Sequence, residues 1–472
     1  MPDPILVVDY SPSWPAAFEA LRSRAARALG DLALAIVHVG STSVPGLAAK
    51  PVIDLEVVVK SRDDVPAAIR QLATLGYVHE GDQGIPGRES FRWPAGEPRH
   101  HLYLEAAGAP PLRRHLAFRD YLRTHPETAA EYDRLKRGLA RQFEHDRSAY
   151  TDAKTEFVTK VLGVAEAEAG QASRATEHAI QGLARGFTGR LGVWAHHLES
   201  GQELTIGADA SFDTASVIKL AVMYEVFRQV EAGAISLDDP MVLDRGNMVP
   251  GSGILKDLDE GHRLSLREAL TLMLVVSDNS ATNLCIDRVG GWDVVNASMD
   301  TLGLARTRLH KKVFLPSPKA SGPGLGATTP REMGSLLLRI AQHEVLTPAS
   351  CDQALTILGR QQFKDMLARD IDEWTRPDPG PDAASRTANA DTAASSIAAS
   401  ATFIPRPYRL ANKGGWVKGV RNEVGLFTTP RGRYVISVFT NDSQDPRFNP
   451  TNEGVLLVGR VSRLVYDLWG RV

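Results

Sequence analysis

The alternation of apolar and polar positions divides the chain into two regions of mixed helix and strand. In the first, a helix is predicted through Trp14–Leu29, strands near Leu34–Val39 and Val52–Val59, a helix at Val65–Leu75 and a strand at His101–Glu105. Helices then run from about Pro111 to Leu162. Within the second strand Ile53, Leu55 and Val57 point one way while Asp54 and Glu56 point the other. The second region opens on the apolar stretch Leu191–His197 and a turn at Glu199-Ser200-Gly201, which together predict a hairpin. Helices follow. The end returns to strands near Val424–Thr428 and Tyr434–Asn441 before a last helix at Val455–Leu468. Strands at both ends enclosing helices predict one sheet assembled from distant parts of the chain, and an α/β (α+β) fold class overall.

Two shifts in composition set the expected boundaries. The Ala/Glu/Gln-rich stretch around residues 163–179 reads as a connection, so we expect a first domain over 1–165, a linker over 166–180 and a second domain over 181–472. A Pro/Asp/Ala/Ser tract near 376–401 has too few large apolar residues to fold alone and is expected to loop out, disordered, from the second domain. A chain of 472 residues, 43% apolar and 23% charged, is an ordinary globular protein long enough for several cores. A formal charge of -2 advertises neither nucleic acid nor an anionic membrane as partner. Cys285 and Cys351 are too few for a disulfide framework. The N-terminal MPDPILVVDYSPSW carries acids and prolines where a signal peptide needs a basic flank and an apolar run, and no later stretch is apolar enough to span a bilayer. These features predict a cytoplasmic location.

Candidate chemistry is concentrated in three segments of the second region. In Thr214-Ala215-Ser216-Val217-Ile218-Lys219, Ser216 and Lys219 are three apart and share one face of a helix whose other positions are apolar. A lysine buried there is desolvated, can lose its proton near neutral pH, and can then activate the serine hydroxyl. The bland alternative is a surface lysine beside a capping serine. Downstream, Ser265-Leu266-Arg267-Glu268 matches a capping box that starts an apolar helix, which Ser277-Asp278-Asn279 interrupts before a second helical run to Val289. That triplet is a cleft wall or a plain turn. Lys413-Gly414-Gly415-Trp416 then offers a lysine and backbone that a substrate can approach closely.

The order SxxK, SDN, Lys-x-Gly resembles the class A β-lactamases and penicillin-binding proteins, and the resemblance extends from about residue 180 to the C-terminus. SDNSATNLCIDRVGG follows the same pattern, and so does Thr328-Thr329-Pro330-Arg331-Glu332-Met333, in which Thr329 caps a helix. The resemblance implies a covalent acyl-enzyme mechanism on an amide or ester. Ser216 would be the nucleophile, Lys219 its general base, Ser277 a proton relay and Lys413 a source of positive potential. Asn279 would hold a substrate amide, and the N–H groups of Ser216 and Trp416, beside Gly415, would form the oxyanion hole. It implies no cofactor for this domain and a small-molecule acyl substrate.

Two departures qualify the activity. Reading from Thr307-Arg308-Leu309, Val313 stands where such β-lactamases carry the glutamate that positions the hydrolytic water, and Ser317 where they carry an asparagine. Valine accepts no proton, so we expect weak β-lactamase activity at most. His310 is the nearest titratable substitute, and a lone loop histidine is ordinarily structural. Gly414 also replaces the usual hydroxyl of the third motif. An alternative of a different class is an acyl-binding sensor that keeps the hydrolase fold as a receptor.

In the first region, His38-Val39-Gly40-Ser41-Thr42-Ser43 supplies a small-residue turn after a strand, of the kind that holds phosphate through backbone N–H groups. Asp54 and Glu56 on one strand face are candidate Mg²⁺ ligands. Gly-Ser followed by Asp-x-Glu resembles the nucleotidyltransferase superfamily. The wording HVGSTSVPGLAAKPVIDLEV, with GIPGRESFRW and HLAFRDYLRTHPE further on, resembles the GrpB family more closely over about residues 5–163. The resemblance implies a nucleotidyltransferase-like fold, with Gly40 and Ser41 as candidate nucleotide contacts and a nucleotide as candidate partner. A third carboxylate is not evident, since His101-Leu102-Tyr103-Leu104-Glu105 offers only His101 and Glu105. Arg88, Arg92 and Lys50 are candidate phosphate contacts or a plain solvated edge.

Overall fold

A computed structural model of the chain describes residues 4–59, 62–315, 324–371, 410–429 and 431–470. Ser317 and the tract at 376–401 lie outside the described residues. The chain forms two compact units that divide between Ala172 and Ser173. The division falls within one helix, Thr155–Ala184, so the segment expected as a linker is helical. Its Ala, Glu and Gln residues are strong helix formers and no proline interrupts them.

In the first unit, five strands form one sheet: β1 (Ala33–Val39), β2 (Ile53–Val59), β3 (Val78–His79), β4 (Arg88–Arg92) and β5 (His100–Ala106), in the order β1-β2-β5-β4-β3. β2 and β5 are parallel, with Asp54 opposite His101 and Glu56 opposite Tyr103. Helices α1 (Trp14–Leu29) and α2 (Val65–Thr74) carry the apolar side chains that cover the inward face of Leu55, Val57, Leu102 and Leu104. The opposite, polar face carries Asp54, Glu56, His101, Tyr103 and Glu105. Helices α3 (Pro110–Thr124), α4 (Pro126–Gln142), α5 (Arg147–Asp152) and α6 (Thr155–Ala184) complete the series.

In the second unit, β6 (Arg190–His197) and β7 (Glu203–Ile206) form the expected hairpin. Short strands β8 (Phe212–Asp213), β9 (Pro240–Val242), β10 (Arg263–Ser265), β11 (Arg308–Leu309) and β12 (Gly326–Thr328) make two small sheets. The long strands β13 (Leu410–Val417), β14 (Val420–Thr429) and β15 (Gly432–Asn441) join the hairpin in an antiparallel sheet ordered β13-β14-β15-β6-β7. Distant parts of the chain therefore share one sheet, as its two ends predicted. Both faces are buried, so the apolar positions of β6, β15 and the second half of β14 run with little alternation. One face presents Trp194, Val424, Leu426, Val435 and Phe439 to the central helices. The other presents Phe427, Tyr434, Ile436 and Val438 to the last helix, Glu453–Trp469.

Among the central helices, α7 (Lys219–Glu231) is buried over its first nine residues. α8 (Leu266–Val275) begins on the predicted capping box: the Ser265 hydroxyl accepts from the Glu268 N–H, and the Glu268 carboxylate accepts from the Ser265 N–H. α9 (Asn279–Arg288) follows after three residues and is capped by Asp278. Among the described residues no helix is long and apolar enough to cross a membrane.

Candidate active site

Ser216 and Lys219 do not open one regular helix as expected. Ser216 lies in a 3-10 turn, Ala215–Ile218, and Lys219 is the first residue of α7. The turn is tighter because it starts from Ala215, whose φ of 44° is left-handed and strained for a residue with a Cβ. The turn packs against β13: a methyl added to Gly415 would lie 2.8 Å from both the Ser216 nitrogen and the Thr214 oxygen. Both are backbone atoms with no freedom to yield. Glycine is required here so that the strand edge and the serine's own N–H come side by side.

The Lys219 side chain is fully buried. Its Nζ donates to the Ser277 carbonyl at 2.7 Å, to Ser277 Oγ at 3.0 Å and to Asn279 Oδ1 at 3.1 Å. No hydrogen bond joins Nζ to Ser216 Oγ. Burial first, and the Lys413 charge second, push the Lys219 pKa well below its ordinary value. Lys413, on β13, donates from Nζ to the same Ser277 Oγ at 3.1 Å, and burial brings its pKa down to about 7. The Ser277 hydroxyl is thus the meeting point of two lysines, each weakened as a cation. Ser277 holds this position with a φ of 55°, a second strained residue at the same centre.

Residues that the motifs did not single out hold the triplet in place. Asp278 accepts from the Ile254 and Leu255 N–H groups and from Ala281 N–H, tying the loop before α8 to the start of α9. Ser252 donates to the Ser277 carbonyl at 2.7 Å, and the Asn279 amide donates to the Pro250 carbonyl. The cue in the sequence was Gly251-Ser252-Gly253, since Gly253 packs so closely on Asp278 that a Cβ would clash at 2.2 Å. Behind β13, Glu423 is buried and accepts from the Asn412 amide and the Leu367 N–H; burial raises its pKa to about 7. Trp416 is about one-third exposed, with its ring 5.8 Å from that of Phe363.

Val313 is locked by Asn283 of α9, whose amide accepts from the Val313 N–H and donates to its carbonyl. His310 is largely buried, with Nδ1 unpartnered, and burial lowers its pKa. It has no hydrogen bond to Ser216, Lys219 or Ser277.

In the first unit, the turn after β1 meets Asp54. Gly40, at φ 70°, lies so close that a Cβ would fall 2.2 Å from Asp54 Oδ2. Ser41 follows in a 3-10 turn. Asp54, however, is bonded to His101 Nδ1 at 2.7 Å, and Glu56 to His115 Nδ1. Glu105 is buried beside Glu56; burial, then the Glu56 charge, raise its pKa to about 7. Each candidate Mg²⁺ ligand therefore spends an oxygen on an imidazole. Among the described residues no three His, Cys, Asp or Glu side chains gather as a metal site. The arrangement does not fit a divalent ion. Arg88 stacks on the Tyr103 ring and Arg92 pairs with Glu80. Lys50 lies over the Tyr150 ring.

A model of the β-lactamase enzyme family matches residues 175–469, more than half of the chain. The chain belongs to that family. Residues 4–163 match the GrpB family, so the protein is a fusion of a GrpB unit and a β-lactamase-family unit. β-Lactamase 1 of Streptomyces cacaoi is 26% identical over 64% of this chain and 86% of its own length. The UPF0157 proteins YqkA of Bacillus subtilis and PA4798 of Pseudomonas aeruginosa are each 38% identical, over 32% and 39% of this chain. The chain spans 44% of the length of YqkA and 75% of that of PA4798. An ancestral class A β-lactamase aligns structurally with a TM-score of 0.50 at 20% identity, over 62% of this chain and all of its own, and it supports the fold alone.

Proposed function

We propose that the second unit is a serine acyl hydrolase that forms an acyl-enzyme on Ser216 with a small amide or ester and releases it slowly. The observation that carries this reading is the hydrogen-bonded chain Lys219–Ser277–Lys413 beside the Ser216 turn.

As a neutral amine, Lys219 needs only two acceptors for its hydrogens, and the Ser277 carbonyl and Asn279 Oδ1 supply them. Its lone pair is then free. Ser216 Oγ, one turn away, gives its proton to that lone pair as it attacks the acyl carbon; hydrogen bonds of this kind commonly tighten only when substrate is bound. The proton passes from Lys219 through Ser277 Oγ to the leaving group. Charge developing on the carbonyl oxygen is met by the N–H groups of Ser216 and Trp416, which the absence of a side chain at Gly415 lets approach each other. Lys413, while protonated, attracts an anionic donor. The chemistry needs no cofactor.

Deacylation lacks the family's glutamate, since Val313 occupies its position in the sequence. That one residue also favours the second reading, an acyl receptor whose covalent adduct is the signal.

Labelling rates against pH test the mechanism. Lys219 must be neutral to act, so labelling by a neutral activated ester falls as pH drops through its lowered pKa. Lys413 loses its charge above about pH 7, so a carboxylate-bearing penicillin loses ground to the neutral ester as pH rises beyond that point. A ratio of the two rates that is flat from pH 6 to 9, on the order of the window set by that pKa, contradicts the role given to Lys413.

A further inference from the structure

The first unit holds a cavity of about 270 Å³ between the turn after β1, α3, α4 and the first half of α6. Ser41, Arg114, His115, Phe118, Tyr132 and Leu162 are among the residues that line it. Every charged side chain on its wall is basic. Arg119 is spent on the His38 carbonyl and on Asp120, but Arg114 is exposed and, among the described residues, makes no hydrogen bond or ion pair. His115 is oriented from behind: Nδ1 is bonded to Glu56, a fully buried carboxylate, and Nε2 has no hydrogen-bond partner among the described residues. Val44, Phe118, Leu122, Val158 and Leu162 give the cavity an apolar side, and Ser41 and Tyr132 add side chains that bear hydroxyls.

We propose that this cavity binds a small organic phosphate, its phosphate held by Arg114 and His115 Nε2 and its organic part by the wall of Phe118 and Leu162. The carboxylates expected to hold metal here act instead on imidazoles, and Glu56 fixes the ring that presents a donor to the ligand. A guanidinium and an imidazole facing one space suit a phosphate ester, whose several oxygens can accept from both. The volume falls just below the usual range of ligand pockets, about 300 to 1,000 Å³. It suits one ring with its phosphate and excludes a dinucleotide.

Calorimetric titration of the full chain with phenyl phosphate, inorganic phosphate, phenol and benzoate tests the site. Phenyl phosphate is expected to bind saturably at one per chain, more tightly than any of the other three. Arg114→Gln should weaken it about tenfold or more, the usual scale for losing a charged hydrogen bond. Phe118→Ala should weaken phenyl phosphate and leave inorganic phosphate unchanged. Ser216→Ala should leave all binding unchanged, which separates this site from the hydrolase. Arg114 is exposed, so its variant is expected to fold, and an unchanged melting temperature verifies that. No saturable binding of phenyl phosphate, equal binding of phenol or benzoate, or full affinity in Arg114→Gln overturns the proposal.

Discussion

Ser216→Ala is expected to abolish covalent labelling by a fluorescent penicillin and by activated esters, with loss of at least about a thousandfold in rate. The effect is this large because neither Lys219 nor Ser277 is free to take the nucleophile's place. Lys219 Nζ is enclosed by Ser277 and Asn279, and the Ser277 hydroxyl is engaged by two lysines. Removing Oγ leaves the helix start, the Gly415 contact and the paired lysines intact, so the variant should melt close to the parent. Equal labelling of parent and variant in gel fluorescence would mean that the adduct forms elsewhere.

Val313→Glu is expected to shorten the life of the adduct by about a hundredfold, the lower end of what a well-placed general base contributes. The backbone of Val313 is held on both sides by Asn283, so a glutamate there starts from a fixed position. In the parent, one equivalent of a chromogenic cephalosporin should be consumed quickly and turnover should then be slow. In the variant, steady turnover should rise while the acylation rate stays within a few-fold. An adduct lifetime unchanged by the new carboxylate would place the deacylation defect in something other than the missing base.

Much of this centre was legible in the sequence because its chemistry depends on local spacing. Ser216 and Lys219 are one turn apart, and Ser277 and Asn279 flank a helix break, so short motifs name them. The five-stranded sheet was legible from apolar runs at the two ends of the chain. What holds these residues was not. Asp278 works through the N–H groups of Ile254 and Leu255, and Glu423 through Leu367, contacts between segments that no periodicity connects. The 3-10 geometry at Ser216 follows from a left-handed Ala215, which composition does not forecast.

In the first unit the sequence offered the turn at Gly40 and the carboxylates of Asp54 and Glu56 as separate features; the structure packs Gly40 against Asp54, an approach that a Cβ would block. The sequence pointed less well at Asp54 and Glu56 as a metal pair. Alternation puts both on one strand face, but their partners come from β5 and α3, where His101 and His115 lie 47 and 59 residues away. A carboxylate pair on a strand is the same pattern whether a cation or two imidazoles face it.

Tandem mass spectrometry of the parent protein, quenched after exposure to a panel of β-lactams and activated esters, tests the central claim most directly. One acyl group per chain on Ser216 is the predicted result. No adduct with any donor, or an acyl group carried by a different residue, would contradict it.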